Sequence, residues 1–354
     1  MFIEKNLYRL LDTLPESLKQ SIIEHPKQHE LDEIILDIGR RPQARFGFKS
    51  EYLSKKIICQ HDLNFCTRRI NKFNDKNRAG IRKTLHRVSC IRNQEGKIIG
   101  LTYRIGRVTF GNVNIIRDVL KLNTSILIIG RPGAGKTTII REIARILSNE
   151  ISKRVIIVDT SNEIAGNDDT PNKVVGNSRR MPVSNSEILG KIMIEAVENH
   201  MPETLIIDEI SNENQVMAAR TISERGIQLI ATVHGTSLEN LIKNPILADL
   251  VGGVENVTLS DEFAKKRKSR KTCLERKNDT AFETVIALKT RTNLTVYTKV
   301  NEFVDNVLSE KKLKFQTRDI ISNKKINILY QDLEKKENLE NNKEKLNIIR
   351  EKKA

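Results

Sequence analysis

The chain contains no tryptophan, and aromatic residues make up only 4% of its 354 positions. It has no apolar run approaching the ~18 residues that a membrane-spanning helix needs, so a helical membrane protein is not expected. Cysteine is scarce too: Cys59, Cys66, Cys90 and Cys273 form no C-x-x-C pair and no His/Cys metal spacing. Free thiols in a reducing compartment are expected, rather than a disulfide scaffold or a zinc site. The opening MFIEKNLYRLLDTLPESLK lacks the apolar run of a secretory signal and is too acidic for a typical transit peptide. The protein is therefore expected to work in the compartment where it is made.

Positive charge, by contrast, is abundant and unevenly placed. The formal net charge is +16. Residues 1–120 hold 23 basic against 13 acidic side chains, residues 121–260 hold 14 against 17, and residues 261–354 hold 24 against 15. A near-neutral middle between basic flanks suggests blocks with different work, the flanks meeting something anionic: nucleic acid, a membrane surface or an acidic protein. The richness in Lys, Asn and Ile is also what an A+T-rich genome produces, so the basic tail has a mutational explanation as well.

Patterning gives a basic N-terminal α+β domain over residues 1–120. Two short amphipathic helices break near Pro15, a strand–turn–strand follows in LDEIILDIGRRPQARF, residues 63–88 look helical with basic faces, and a hairpin turns at Glu95-Gly96. Residues 121–262 alternate strand and helix, with candidate strands at 125–129, 155–159, 204–208, 227–233 and 256–259. That rhythm predicts a mainly parallel sheet covered on both faces. A small basic C-terminal region over 263–330 contains two more strands and a helix, and the charged segment 331–354 is either a solvated helix or disordered.

The chemistry is concentrated in ILIIGRPGAGKTTIIREIARIL. Gly130, Arg131, Pro132, Gly133, Ala134, Gly135, Lys136 and Thr137 match G-x-x-x-x-G-K-[ST], with a strand before and a helix after. Such a loop turns backbone N–H groups, together with those of Thr138 and the helix start, toward phosphate oxygens. Lys136 is placed for the β- and γ-phosphates of a nucleoside triphosphate and Thr137 for Mg²⁺. ETLIIDEIS delivers Asp208 to a strand end, where a carboxylate holds Mg²⁺ through water, and beside it Glu209 has the position of a general base. The absence of an [NT]-K-x-D guanine-reading motif favours ATP. Asp159 ends another strand with Glu163 just beyond; it is a candidate for Mg²⁺ or ribose, or equally a helix cap. Thr232 and His234 end a further strand and are candidates for sensing phosphate or a neighbouring subunit. Arg179 and Arg180, expected in a loop, are candidate arginine fingers, with Arg220 and Arg225 competing. Between Arg40 and Leu120, 19 basic and 5 acidic residues are interleaved with Phe46, Phe48, Tyr52, Phe65, Phe73, Tyr103 and Phe110. Either these grip a single-stranded nucleic acid by charge and stacking, with Arg82 and His86 at R-x-x-x-H spacing, or they form the core of a small domain.

These stretches, together with SRRMPV, ATVHGTSLENLIKNPILADLVGG and CLERKNDTAFETVIAL, resemble a P-loop ATPase family of the Ycf series encoded on algal plastid genomes. More distantly the chain is similar to stage III sporulation protein AA and to the ring ATPases of secretion and pilus systems. The resemblance covers roughly residues 30–290. It implies a RecA-like, AAA-type core, ATP and Mg²⁺ as cofactors, and a homo-oligomeric ring, a hexamer being one candidate size. It also implies a hydrolytic pair at Asp208 and Glu209 and a histidine box at His234. Residence in the plastid stroma is implied as well, a bacterial cytoplasm fitting the physical features equally. No histidine follows His234, so the C-terminal nucleic-acid module of some relatives is expected to be missing or eroded. The functions expected are an ATPase doing conformational work, on nucleic acid or as a peripheral membrane assembly or transport enzyme, or an ATP-gated scaffold with little turnover.

Overall fold

Strands that alternate buried and partly exposed residues build the N-terminal part of the chain, and a set of almost wholly apolar strands forms the centre of the rest. The computed structural model describes residues 2–47, 49–74, 77–106, 111–160, 162–166, 172–183, 185–258, 272–290, 292–311, 313–320 and 326–333. The N-terminal elements are helices α1 (Phe2–Leu11) and α2 (Glu16–Ile23), strands β1 (Leu31–Asp37), β2 (Gln43–Phe46) and β3 (Lys49–Tyr52), helix α3 (Gln60–Thr67), and strands β4 (Arg78–Gly80), β5 (Arg87–Arg92) and β6 (Ile98–Arg104). The six strands form one antiparallel sheet in the order β3-β2-β1-β6-β5-β4. Leu10, Leu11, Leu18, Ile22 and Leu63 of the helices share one core with Leu36, Leu101 and Tyr103 of the sheet. One face is thus covered, as the alternation requires. The hairpin expected at Glu95-Gly96 is present, with Gly96 at φ +80°.

The helical expectation for 63–88 is corrected: the helix ends at Thr67 and an edge strand occupies 78–80. Asn74 makes the turn between them. Its Oδ1 accepts from the Arg78 N–H, its N–H donates to the Arg78 carbonyl, and Asn77 sits at φ +54°. Asparagine side chains offer the backbone such local partners in competition with a helix.

Residues beyond 111 build the second unit: α4 (Arg117–Leu120), β7 (Ile126–Gly130), α5 (Lys136–Arg145), β8 (Val155–Asp159), β9 (Arg179–Pro182), α6 (Leu189–His200), β10 (Thr204–Ile207), α7 (Glu213–Glu224), β11 (Gln228–His234), α8 (Leu238–Ile242), β12 (Val254–Thr258), β13 (Thr272–Arg276), β14 (Thr284–Leu288), β15 (Asn293–Thr298), α9 (Val300–Leu308), β16 (Leu313–Ile320) and β17 (Ile326–Leu333). Nine strands form a mixed sheet, β17-β16-β15-β14-β7-β11-β10-β8-β9. From β14 to β9 neighbouring strands are parallel; β15, β16 and β17 extend the sheet antiparallel. Every residue of β7, β8, β10 and β14 is buried, because side chains on both faces meet a core. Leu127 and Ile129 face α6 and α7, while Ile126 and Ile128 face α5 and the lead-in turn.

Three placements differ from expectation. The sheet runs across residue 263 without division, since β14 lies directly against β7. Residues 113–120 belong to the core of this second unit, with Val113, Ile116 and Leu120 packed beside Ile139 and Ile143. The strand expected at 256–259 is β12, which pairs with β13 as a separate two-stranded ribbon. The tail expectation for 331–354 falls on β17 up to Leu333 and otherwise lies outside the described residues.

Arg318 on β16 ties the antiparallel extension back to the lead-in. It is 3% exposed, donates to both carboxylate oxygens of Asp118 at 2.6 and 2.8 Å, and donates to the Ile115 carbonyl at 2.8 Å. Burial alone would push the Asp118 carboxyl up, but the hydrogen bonds and charge of Arg318 outweigh it and hold it below its ordinary value. A depressed carboxyl contributes stability that is complete above its unfolded pKa and is lost as pH falls through the folded one. Arg318→Ala is expected to cost about 2 kcal/mol near neutrality. Thermal unfolding should show that deficit shrinking as the pH drops below 3.8, the carboxyl's ordinary value.

Candidate nucleotide site

The parallel registers bring the chemistry to one rim. Gly130 at the end of β7 pairs with His234 at the end of β11, while Ile207 pairs with Ala231 on one side and Val158 on the other. Asp208 and Asp159 therefore emerge beside the loop that joins β7 to α5. Gly133 and Gly135 have φ of +79° and +101°, a left-handed backbone that side chains resist. A Cβ at Gly130 would stand 3.3 Å from both Leu288 Cβ and Lys136 Cγ. Arg131, Pro132 and Gly133 are exposed at the loop tip, Ala134, Gly135, Thr137 and Thr138 are partly exposed, and Lys136 is 8% exposed.

Lys136 Nζ donates to the Gly130 carbonyl at 2.7 Å and lies 3.0 Å from His234 Nδ1. His234 Nε2 lies 3.0 Å from Glu209 Oε1. An ammonium can only donate, so Nδ1 is the acceptor and Nε2 carries the proton that Glu209 receives. Lysine, histidine and glutamate thus form one directed chain across three strand ends. Burial pulls the Lys136 ammonium below its ordinary pKa, opposed by the charges of Glu209, Asp208 and Glu163. Thr232 donates its hydroxyl to the Asp208 carbonyl, locking the two strand ends together.

Asp159 has another task. Fully buried, it accepts from the N–H groups of Glu163, Ile164 and Ala165 at 3.2, 3.1 and 3.0 Å. The helix cap expected of it is corrected: among the described residues no helix begins here, and the three N–H groups belong to the loop after β8. Burial raises its pKa against those three N–H groups and the charge of Arg180. Arg141, projecting from α5, closes the same loop from the other side by donating to the carbonyls of Ile164 (2.9 Å) and Glu163. Burial lowers the Arg141 guanidinium to about 10.

The candidate fingers separate. Arg179 and Arg180 are not in a loop but on β9, the edge strand beside β8. Arg180 turns inward to Asn162. Arg220 lies 3.9 Å from Asp249, and Arg225 lies 3.4 Å from Glu198. Arg179 is exposed on the sheet edge.

Beside the loop opens a cleft of about 310 Å³ between the two sheets. Thr137, Thr138 and Arg141 line it from α5, and Arg78, Arg87 and Arg104 line it from the N-terminal sheet. Arg87 makes an ion pair with Glu163 that bridges the two units. The arginines on this wall were not singled out in the sequence, where they are three among many basic residues. Arg141 lies three and four residues after Thr138 and Thr137 on one face of α5, and that spacing was its signal. The aromatics expected to stack on bases are engaged elsewhere: Phe46 and Tyr103 are buried, Phe46 lies against His25 at 3.8 Å, and the Arg69 guanidinium covers Phe65 at 3.6 Å. His86 is buried, bonded to the Asn6 carbonyl and the Gly106 N–H. Phe48 and Phe110 lie outside the described residues. Among the described residues there is no cluster of three or more His, Cys, Asp or Glu that could hold a metal.

A mixed sheet whose central strands are parallel, with a glycine-rich loop at one strand end, a buried lysine and an Asp-Glu pair two strands away, is the architecture of a P-loop α/β protein. Residues 81–260 match the family described as "Sporulation stage III, protein AA", and the chain belongs to that family, its Ycf45 branch included. It is 50% identical over 326 residues to an uncharacterized Ycf45 protein of Porphyra purpurea, covering 92% of this chain and 58% of that one. It is 48% identical to the Arabidopsis thaliana protein Seedling Plastid Development 1, covering 88% and 45%. The corresponding figures for a Ycf45 protein of Cyanidium caldarium are 48%, 94% and 100%. The chain thus spans about half the length of the first two relatives and all of the third. Among solved structures, the pilus retraction motor PilT with bound ADP shares the fold, with TM-score 0.52, 12% identity and coverage of 94% and 88%.

Asp159→Ala would leave three buried N–H groups without their acceptor. It is expected to lower stability by about 2–3 kcal/mol, read as a lower thermal midpoint, with Asp159→Asn falling between it and the wild type.

Proposed function

We propose that this chain binds Mg-ATP in the cleft between its two units and hydrolyses it. The observation that carries the reading is the directed chain from Lys136 through His234 to Glu209, set beside a loop whose backbone conformation suits phosphate. The first N–H groups of α5 lack partners within the helix and, with its dipole, favour anionic oxygens. Lys136 exchanges its bonds to Gly130 and His234 for the β- and γ-phosphates. Mg²⁺, when bound, neutralises charge on the phosphate oxygens. Thr137 and Asp208 are the residues that would hold it. Glu209 takes the proton of the attacking water, and His234 keeps its carboxylate oriented toward the loop.

Arg78, Arg87 and Arg104 face the phosphates from the N-terminal sheet. Arg87 then has two anionic partners to choose between, Glu163 and the triphosphate, and that choice couples nucleotide to the angle between the units. A homo-oligomeric ring is part of the proposal. Exposed Arg179 is the residue available to complete a neighbour's site, whereas Arg180, Arg220 and Arg225 are engaged within their own subunit. The Arabidopsis relative's name places that protein in plastid development, and plastid stroma is the compartment we infer for this chain.

Steady-state hydrolysis by purified protein tests the reading. Lys136→Ala should abolish binding of a fluorescent ATP analogue. Glu209→Gln should keep binding and lose about 10²- to 10⁴-fold in turnover. Arg179→Ala mixed with Glu209→Gln should regain turnover above either variant alone if the arginine acts on a neighbour. Wild-type turnover indistinguishable from Glu209→Gln would refute hydrolysis.

A further inference from the structure

The end of the N-terminal sheet farthest from the nucleotide cleft carries a surface of its own. The strands give the direction. Asp32, Arg87 and Arg104 line the cleft, and Arg104 pairs with both Glu33 and Arg87. At the opposite end Gly100 pairs with Asp37 and Ile91. β1 has seven residues, so the two ends are about 20 Å apart.

Three loops are bonded into one platform at the far end. The β1–β2 turn meets the segment after β3 through Gly39 N–H to the Ile58 carbonyl (3.0 Å), Ile58 N–H to the Arg40 carbonyl (2.9 Å) and Leu53 N–H to the Pro42 carbonyl (2.9 Å). The same turn meets the β5–β6 hairpin through Ile38 N–H to the Ile99 carbonyl at 3.0 Å. Large aliphatic side chains stand out from the platform: Ile57 is 56% exposed, Ile91 53% and Ile38 38%. Nothing in the proposed nucleotide chemistry uses them. Around them Arg40, Arg41, Lys55, Lys56, Arg92 and Lys97 are all exposed. Acidic groups at this end are fewer. Asp37 is half-buried, Glu95 sits at the hairpin tip, Asp62 is 8% exposed and 3.8 Å from Lys56, and Glu51 is bonded to His25.

We propose that this platform docks on an anionic lipid surface. Aliphatic side chains inside a ring of Lys and Arg match the boundary between charged headgroups and acyl chains, where insertion and attraction act together. A nucleic acid would use the basic ring but has no use for the three exposed isoleucines, and a single strand also stacks its bases on free aromatic faces. The one exposed aromatic ring of the platform, Tyr52, already has the Arg41 guanidinium 4.4 Å from its centroid. Arg41 is fixed there by its bond to the Ser54 carbonyl at 2.9 Å. Docking by this end leaves the nucleotide cleft facing away from the lipid and open.

The test is co-sedimentation of the full chain, without nucleotide, with vesicles of phosphatidylcholine alone and of phosphatidylcholine mixed with phosphatidylglycerol. Wild type should sediment with the mixed vesicles and stay in solution with the neutral ones. Ile57→Ser/Ile91→Ser, which leaves charge unchanged, and Arg40→Glu/Lys55→Glu should each weaken partitioning about tenfold or more. All of these positions are exposed, so the thermal midpoint should hold in both variants. A labelled single-stranded oligonucleotide, followed by anisotropy, is the second arm. The proposal is overturned if mixed vesicles bind nothing or neutral vesicles bind equally. It is also overturned if the isoleucine variant binds as wild type does, or if the variants lose oligonucleotide while keeping vesicles.

Discussion

Charge is expelled from a sheet that is covered on both faces, and the rest of this molecule follows from that. β7, β8, β10 and β14 contain no side chain left to water; a carboxylate in mid-strand would carry the large penalty of an unpaired buried ion. The chain therefore places Asp159, Asp208, Glu209 and His234 at the ends of apolar runs. Because the strands are parallel and in register, those ends meet along one rim. Lys136 is drawn to the same rim by α5, and its partial burial is offset by the carboxylates around it.

The same penalty explains the links between layers. Arg141, Glu142 and Arg318 are buried, and each is fully engaged. Arg141 holds the carbonyls of the loop after β8, and Glu142 receives the N–H groups of Gly111 (2.5 Å) and Val113 (3.2 Å). Arg318 clasps Asp118. Together they fasten the phosphate-loop helix, the lead-in from the N-terminal domain and the antiparallel extension into one body. The N-terminal sheet, by contrast, meets this body across a polar cleft bridged by Arg87 and Glu163. A charged contact of that kind is open to competition by an anionic ligand in a way that packed isoleucines are not.

Much of this was legible in advance. The loop from Gly130 to Thr137 and the pair Asp208-Glu209 lie in short contiguous stretches whose spacing carries the chemistry, and the apolar runs before them mark buried strands. The hairpin at Gly96 was readable because its turn is local. Other features were not readable for definite reasons. β9 is a four-residue edge strand rich in arginine, which periodicity cannot separate from a loop. The segment after α3 has helical composition, but Asn74 satisfies its own backbone and turns the chain. The basic and aromatic residues of the N-terminal domain looked like a nucleic-acid grip because a one-dimensional pattern does not say which rings are buried.

The sequence by itself determined the P-loop α/β class, the alternation of strand and helix, and which side chains stand at strand ends, because each depends on neighbours a few positions away. Only the tertiary structure decided that Lys136, His234 and Glu209 form a single chain. It alone set β14–β17 into the central sheet, made the arginines of a different domain line the cleft, and gathered three loops into one exposed platform. Those outcomes depend on register and on which surfaces exclude water from one another, across separations of tens to hundreds of residues, and such distances leave no local trace in the chain.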